Sequence, residues 1–157
     1  MKTEKGFTLV EILIVVVILG ILAAIVIPQF TSASTEAKES ALVSDIQSVR
    51  SQIELYKIHH NDNLPGTQAG NDFTVAMTSK TDQDGVVGVG ATFRFGPYMR
   101  QIPMNPFNDL NTVETDGMAG DNSAGWNFVT LVGVTQGLFQ ADDNAVNPVD
   151  GSAHSTY

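Results

Sequence analysis

The 157-residue chain has no cysteine. No disulfide can staple it, and neither thiol chemistry nor a thiolate metal site is open to it. Basic residues are scarce. Eight Lys and Arg stand against 17 Asp and Glu, for a formal net charge of −9. Beyond His59 the basic residues are Lys80, Arg94 and Arg100, against eleven acidic ones. Such a surface repels nucleic-acid phosphate, which argues against a DNA- or RNA-binding role. Catalytic signatures are missing as well. Gly85, Gly88 and Gly90 lack the dinucleotide-binding spacing, and no Gly-Lys-Ser/Thr follows them. Neither GxSxG nor HExxH occurs, and there is no internal repeat. With no catalytic constellation, the chain reads as a non-enzyme of about one domain rather than a membrane-anchored enzyme or ligand-binding domain.

What is present begins at the N-terminus, with "KGFTLVEILIVVVILGILAAIVIPQF". The 21 residues from Phe7 to Ile27 are apolar except for Thr8, Glu11 and Gly20. A helix of that length spans about 31 Å, enough to cross a bilayer. Lys2 and Lys5 precede the run, and no charge follows it until Glu36. That asymmetry predicts a cytoplasmic N-terminus, with everything after the run across the membrane. A cleavable secretory signal would end at a small-residue site after a shorter apolar stretch. Ala23-Ala24 offers such a site, but the run continues through Ile25-Val26-Ile27. A plain anchor leaves Glu11 unexplained, since a charge in hydrocarbon costs at least about 2.5–3.5 kcal/mol. A buried core helix conflicts with the length of the run and its lysine flank.

Pro28 removes a helix donor and crowds the preceding turn, so it predicts a kink. Helical patterning nevertheless resumes at once. Leu42, Ile46, Val49, Ile53 and Tyr56 fall at spacings of 4, 3, 4 and 3, a single apolar stripe. Glu36, Lys38, Glu39, Asp45, Arg50, Glu54 and Lys57 are read onto the other faces. Asn61-Asp62-Asn63 and Leu64-Pro65-Gly66 end the pattern. The prediction is one helix of about 50 residues, apolar in its first half and amphipathic in its second.

"KGFTLVE" behind a short basic leader, followed by an apolar helix with a late proline, resembles the class III signal of type IV pilins and type II secretion pseudopilins. The resemblance implies that a prepilin peptidase cuts between Gly6 and Phe7 and methylates Phe7. It divides the chain into a cleaved leader (1–6), a transmembrane and assembly segment (7–30) and a periplasmic globular domain (31–157). It implies an inner-membrane subunit, with its N-terminus cytoplasmic, that later enters a periplasmic or extracellular homo-oligomeric helical filament. The partners implied are minor pseudopilins or pilins, the peptidase and an inner-membrane assembly platform. Cutting after Gly6 would create an amine on Phe7. Once helices stack in a filament core that amine would need a partner, because an unpaired buried charge is costly. Glu11 can pair with the amine of a neighbouring Phe7, or with its own at i, i+4. Either pairing would fix the register of packing.

The remainder reads as a β-rich cover. Residues 73–79, "FTVAMTS", are ambiguous between helix and strand. Asp84 to Phe95 reads as a Gly-rich loop leading into a short strand. Residues 126–141 read as a hairpin in which Trp126, Phe128, Thr130 and Val132 alternate, Thr135-Gln136-Gly137 turns, and Leu138-Phe139-Gln140 returns. Residues 142–157 are polar and read as frayed. His59-His60, at the predicted helix end, suit interaction with the helix C-terminus better than metal ligation. The loop from Thr115 to Gly125 is read either as an acidic solvated turn or as a calcium loop using Asp116 and Asp121. No other cofactor is indicated.

The helix end and "YMRQIPMNPF" are similar to the corresponding parts of the major type II pseudopilin. Ile102-Pro103 and Asn105-Pro106-Phe107 stand where that subunit has a Leu-Pro-x-Asp-Pro-Trp loop. Its calcium loop follows the last strands, whereas here the acidic loop precedes the Trp126 hairpin. Major pilins commonly close their C-terminal region with a disulfide, so the lack of cysteine favours the pseudopilin. The expected fold is α+β and pilin-like: a long N-terminal helix whose apolar half protrudes and whose amphipathic half packs on a small antiparallel sheet. The expected function is that of a filament subunit of a type II secretion system, exporting proteins across the outer membrane. The alternative is the major subunit of a type IV pilus for adhesion, motility or DNA uptake.

Overall fold

A computed structural model describes residues 6–68, 71–133 and 135–157. Of the predicted leader, Met1 to Lys5, and with them Lys2, lie outside the described residues. A single helix, α1, runs from Leu9 to His59, 51 residues, and is unbroken through Pro28. Contacts divide the chain into two compact units, Met1–Ala37 and Lys38–Tyr157. The predicted division between residues 30 and 31 is one of polarity, and the division by contacts falls later.

In the first unit, α1 opens on a reciprocal cap. Thr8 precedes the helix, and its hydroxyl oxygen accepts the Glu11 N–H at 3.2 Å. The Glu11 carboxylate in turn accepts the Thr8 N–H and hydroxyl, each at 2.8 Å. This Thr-x-x-Glu capping box satisfies donors that a helix start otherwise leaves open. At Pro28 the Ala24 carbonyl loses its usual donor. The Thr31 and Ser32 hydroxyls donate to the Ile27 and Pro28 carbonyls of that turn, a pattern that bends helices.

In the second unit the predicted stripe is the core. Leu42, Ile46, Val49, Ile53 and Tyr56 are all buried. Glu39 departs from its predicted solvent face: it is 8% exposed. It lies three residues before Leu42, so it extends the 3–4 spacing of the stripe. α1 ends with Asn61 and Asp62 at φ 54° and 65°. The Asp62 N–H reaches back to the Lys57 carbonyl at 3.0 Å, a left-handed closure that Asn tolerates.

The ambiguous stretch at residue 73 is a helix, α2 (Phe73–Thr78), capped by Asp72, which accepts the Val75 N–H at 2.7 Å. Among the described residues three short strands follow: β1 (Val113–Thr115), β2 (Trp126–Phe128) and β3 (Phe139–Ala141), in the order β1-β2-β3. β2 and β3 form the predicted antiparallel hairpin, with Trp126 opposite Ala141 and Phe128 opposite Phe139. β1 pairs with β2 in parallel, so the sheet is mixed rather than wholly antiparallel. The acidic loop that joins them carries the chain back along the sheet before β2 begins.

β2 stops at Phe128, short of the predicted Thr130 and Val132. The Asp116 carboxylate captures the N–H groups of Thr130 and Leu131, which removes them from the ladder. The strand predicted near Phe95 is reduced to isolated bridges of Thr81 with Val87 and Phe95. Gly88 lets the Phe93 ring lie close against the backbone there, since a Cβ would come 2.3 Å from it and the ring would have to move. The core closes with Phe73, whose ring centroid is 4.6 Å from Phe128 and 5.5 Å from Phe139. Trp126 Nε1 donates to the Pro103 carbonyl at 2.9 Å.

The C-terminal stretch is not frayed. Asp142, Asp143 and His154 are buried, Val146 bridges Ala153, and a 3-10 turn, η1, spans His154–Thr156. Its polar composition suggested solvent, but its polar groups bond to one another and to α1.

Candidate functional site

The first candidate is the helix start. Phe7 is 84% exposed, and every large apolar side chain from Leu9 to Phe30 is exposed too. An 18-residue window of α1 has a mean hydropathy of 3.3 with none of it buried. The helix is therefore long and apolar enough to cross a membrane. A Cβ on Gly6 would meet nothing within 4 Å, so the fold itself does not demand glycine there. Glu11 is the one carboxylate in this apolar surface, and its bonds go to Thr8 in the same chain. Gly6, Phe7 and Glu11 thus lie close together along the sequence. Pro28 is more than four helical turns further on.

The second candidate is the acidic loop. Asp121 meets Glu114 of β1 and Asp142, the residue after β3, with one carboxylate oxygen from each lying within 4.8 Å of the others. Asp142 is fully buried. Its Oδ1 accepts the Gly120 and Asp121 N–H groups at 2.7 and 3.3 Å, and its Oδ2 accepts the Ala124 N–H at 2.8 Å. The Ser123 hydroxyl donates to Glu114 at 2.8 Å. Gly117 is required for Glu114 to lie where it does, since a Cβ would come 2.1 Å from the Glu114 carboxyl carbon.

Asp116, the other predicted ligand, stands apart from this cluster. It accepts from the Thr130 N–H at 2.6 Å, the Leu131 N–H at 3.0 Å and the Thr130 hydroxyl. Desolvation pushes its carboxyl up, but these three bonds together outweigh it and hold the group below the usual carboxylate range. The three clustered carboxylates form an all-oxygen donor set of high negative charge, which fits a hard divalent cation such as calcium. Sequence reasoning found Asp121 and missed Glu114 and Asp142. The available signal was the Asp142-Asp143 pair directly after the hairpin.

His59 and His60 do not turn back on the helix carbonyls. His59 Nδ1 lies 2.9 Å from the Tyr98 hydroxyl, and His60 Nε2 lies 3.1 Å from both that hydroxyl and the Thr81 hydroxyl. His60 Nδ1 lies 3.3 Å from the Gln83 carbonyl. Burial pushes the Tyr98 phenol up to about 12, so it stays neutral between the two imidazoles.

Comparison with known proteins agrees with the helix start. The prokaryotic N-terminal methylation motif matches residues 1–27. The type II secretion system core protein G of Pseudomonas aeruginosa is 32% identical over 139 residues, covering 78% of this chain and 93% of that protein. The chain belongs to the core protein G family. Core protein G of Pectobacterium carotovorum subsp. carotovorum is 31% identical over 80% of this chain and 86% of its own length. That of Aeromonas hydrophila is 29% identical over 81% and 95%. No solved structure matches. As a core protein G, the chain is a type II secretion pseudopilin, a structural subunit acting in protein export across the outer membrane, and not the major subunit of a type IV pilus.

Proposed function

We propose that this pseudopilin is cut between Gly6 and Phe7 by a prepilin peptidase and methylated on Phe7. Until then residues 7–30 hold it in the inner membrane, N-terminus cytoplasmic, with residues 31–157 periplasmic. The subunit then leaves the bilayer for a homo-oligomeric helical filament that includes minor pseudopilins and is built on an inner-membrane platform. The observation that carries this reading is Glu11. It is a carboxylate on an exposed apolar helix, held among the described residues by its own cap alone.

Stacking such helices buries Phe7 and its new amine. Glu11 of a neighbouring subunit supplies the countercharge and so sets the axial register. The open space around Gly6 supports recognition by an external partner, because none of the described residues requires a glycine there. Mass spectrometry of the mature protein tests the reading. It should show loss of residues 1–6 and one added methyl on Phe7. Retention of Met1, or a cut near Ala24, would refute it.

We also propose that calcium is held by Glu114, Asp121 and Asp142. The cation would supply countercharge to three converging carboxylates. The backbone N–H groups of Gly120, Asp121 and Ala124 orient Asp142, and the Ser123 hydroxyl orients Glu114.

A further inference from the structure

We propose that residues 143–157 form a strap, buckled by His154, that holds the first turns of α1 within the second unit. The buckle joins residues 115 positions apart. His154 Nε2 lies 2.8 Å from Glu39 Oε1, and its Nδ1 lies 2.6 Å from Asp143 Oδ1, with the ring fully buried. Each ring nitrogen thus has a carboxylate oxygen as its hydrogen-bond partner. Polar groups buried this deeply are tolerated because each is hydrogen-bonded on every side.

Both carboxylates are themselves anchored. Asp143 Oδ2 accepts from Asn105 Nδ2 at 2.8 Å, and its Oδ1 accepts the Ala145 N–H at 3.1 Å. The Tyr157 hydroxyl reaches Glu39 Oε2 at 3.4 Å and receives Asn147 Nδ2 at 2.6 Å. The Phe107 ring covers the imidazole at 4.3 Å between centroids. A second grip lies three turns further along α1. There Arg50 donates to the Phe139 carbonyl at 2.9 Å and to the Tyr157 backbone oxygen. The strap therefore touches α1 at Glu39 and Arg50, on either side of Leu42, Ile46 and Val49.

Two features make it a separable element rather than more core. Its two valines face outward, Val146 55% and Val149 91% exposed, and of its large side chains the Tyr157 ring packs against the core. Its hold on the start of this stretch of α1 is polar and runs through the Glu39–His154–Asp143 triad, so losing one member leaves a buried polar group without its partner. Segments with few buried apolar contacts open below the global transition. When this one opens, Glu39 and the turn around Leu42 lose their cover.

Amide hydrogen exchange on the full chain in detergent micelles tests the strap, with Glu39→Gln and His154→Gln beside wild type. Glu39→Gln keeps the side chain's length and removes one charge. In either variant, exchange in residues 38–46 and 143–157 should rise together by at least about tenfold, while β2 and β3 hold within about twofold. The double variant should exchange no faster than His154→Gln alone, because the pair acts as one buckle. A rise confined to 143–157 would overturn the proposal, since the tail would then dock without holding the helix. Wild-type exchange in both single variants, or additive effects in the double, would overturn it too. So would a uniform rise across the unit or outright unfolding of both single variants, which would make the triad part of the global core.

Discussion

The two units each place a carboxylate where composition argues against it, and they satisfy it in opposite ways. Glu11 sits on an exposed apolar helix and, among the described residues, is held by Thr8 alone, three residues away. Glu39 sits inside the second unit and is held by His154, across most of the chain. The first unit leaves its apolar side chains uncovered, whereas the second covers its stripe completely. A charge satisfied by distant parts of its own chain belongs to the fold. A charge satisfied only by its own cap remains available to another molecule.

The largest effect should come from breaking the open side of this comparison. Glu11→Val should insert and be cleaved normally, because removing a charge eases insertion. Filament yield, normalised to cleaved subunit, should nonetheless collapse, since an unpaired buried amine costs about 3–5 kcal/mol. Glu11→Asp should fall between. Wild-type yield from Glu11→Val would give this carboxylate some other task. On the closed side, Phe128→Ala should cost about 3–5 kcal/mol in chemical denaturation of the second unit. Cleavage at Gly6 should be untouched, which mass spectrometry of the same variant checks.

A smaller effect sharpens the second unit alone. Calcium binding to the folded state raises stability by about 2.7 kcal/mol at 100 times its Kd. Melting should shift upward in calcium for the wild type and not for Asp121→Asn. An equal shift in both would move the site away from Glu114, Asp121 and Asp142.

Much of this was legible from sequence, because periodicity reports directly on burial. The 4-3-4-3 spacing gave the α1 stripe, and the apolar run gave the membrane-length segment. Trp126 with a turn at Thr135-Gln136-Gly137 gave the hairpin. β1 was not legible, since two of Val113-Glu114-Thr115 are polar and the stretch is held as a strand by β2. Residues 142–157 were misread because polar side chains look solvated until their partners are known. One of the two partners of His154, Glu39, lies 115 residues away. Glu39 was misread for the same reason, although its spacing placed it on the stripe. Asp116 carried the composition of a ligand, but its carboxylate ends β2 instead.

A modest pH dependence should separate the interior of the second unit from its surface. Burial depresses the His60 imidazole below its ordinary 6.5. The native state then binds fewer protons than the unfolded chain between that depressed value and 6.5, so stability rises with pH across the window. His60's contribution is complete above 6.5 and is lost as the pH falls through the window. His60→Gln should flatten that part of the wild-type stability profile. An unchanged slope would mean that the imidazole is as solvated folded as unfolded.

The smallest effect decides which of its two bonding roles Glu11 is kept for. Thr8→Val preserves the shape of the cap residue and removes its hydroxyl. Of the three bonds in the capping box it leaves only the one from the residue 8 N–H to the carboxylate. Loss of such a cap costs about 1 kcal/mol, a change that circular dichroism of the micelle-bound chain can follow at the helix start. The same substitution releases Glu11 from a competing hydroxyl and leaves its charge intact for a neighbouring amine. If the carboxylate is kept for pairing, Thr8→Val filaments should form at no less than about a fifth of the wild-type yield, in line with that cost. Yield as low as that of Glu11→Val would make capping the decisive role. The free carboxylate on the exposed helix would then be a feature of the fold, as Glu39 is in the second unit.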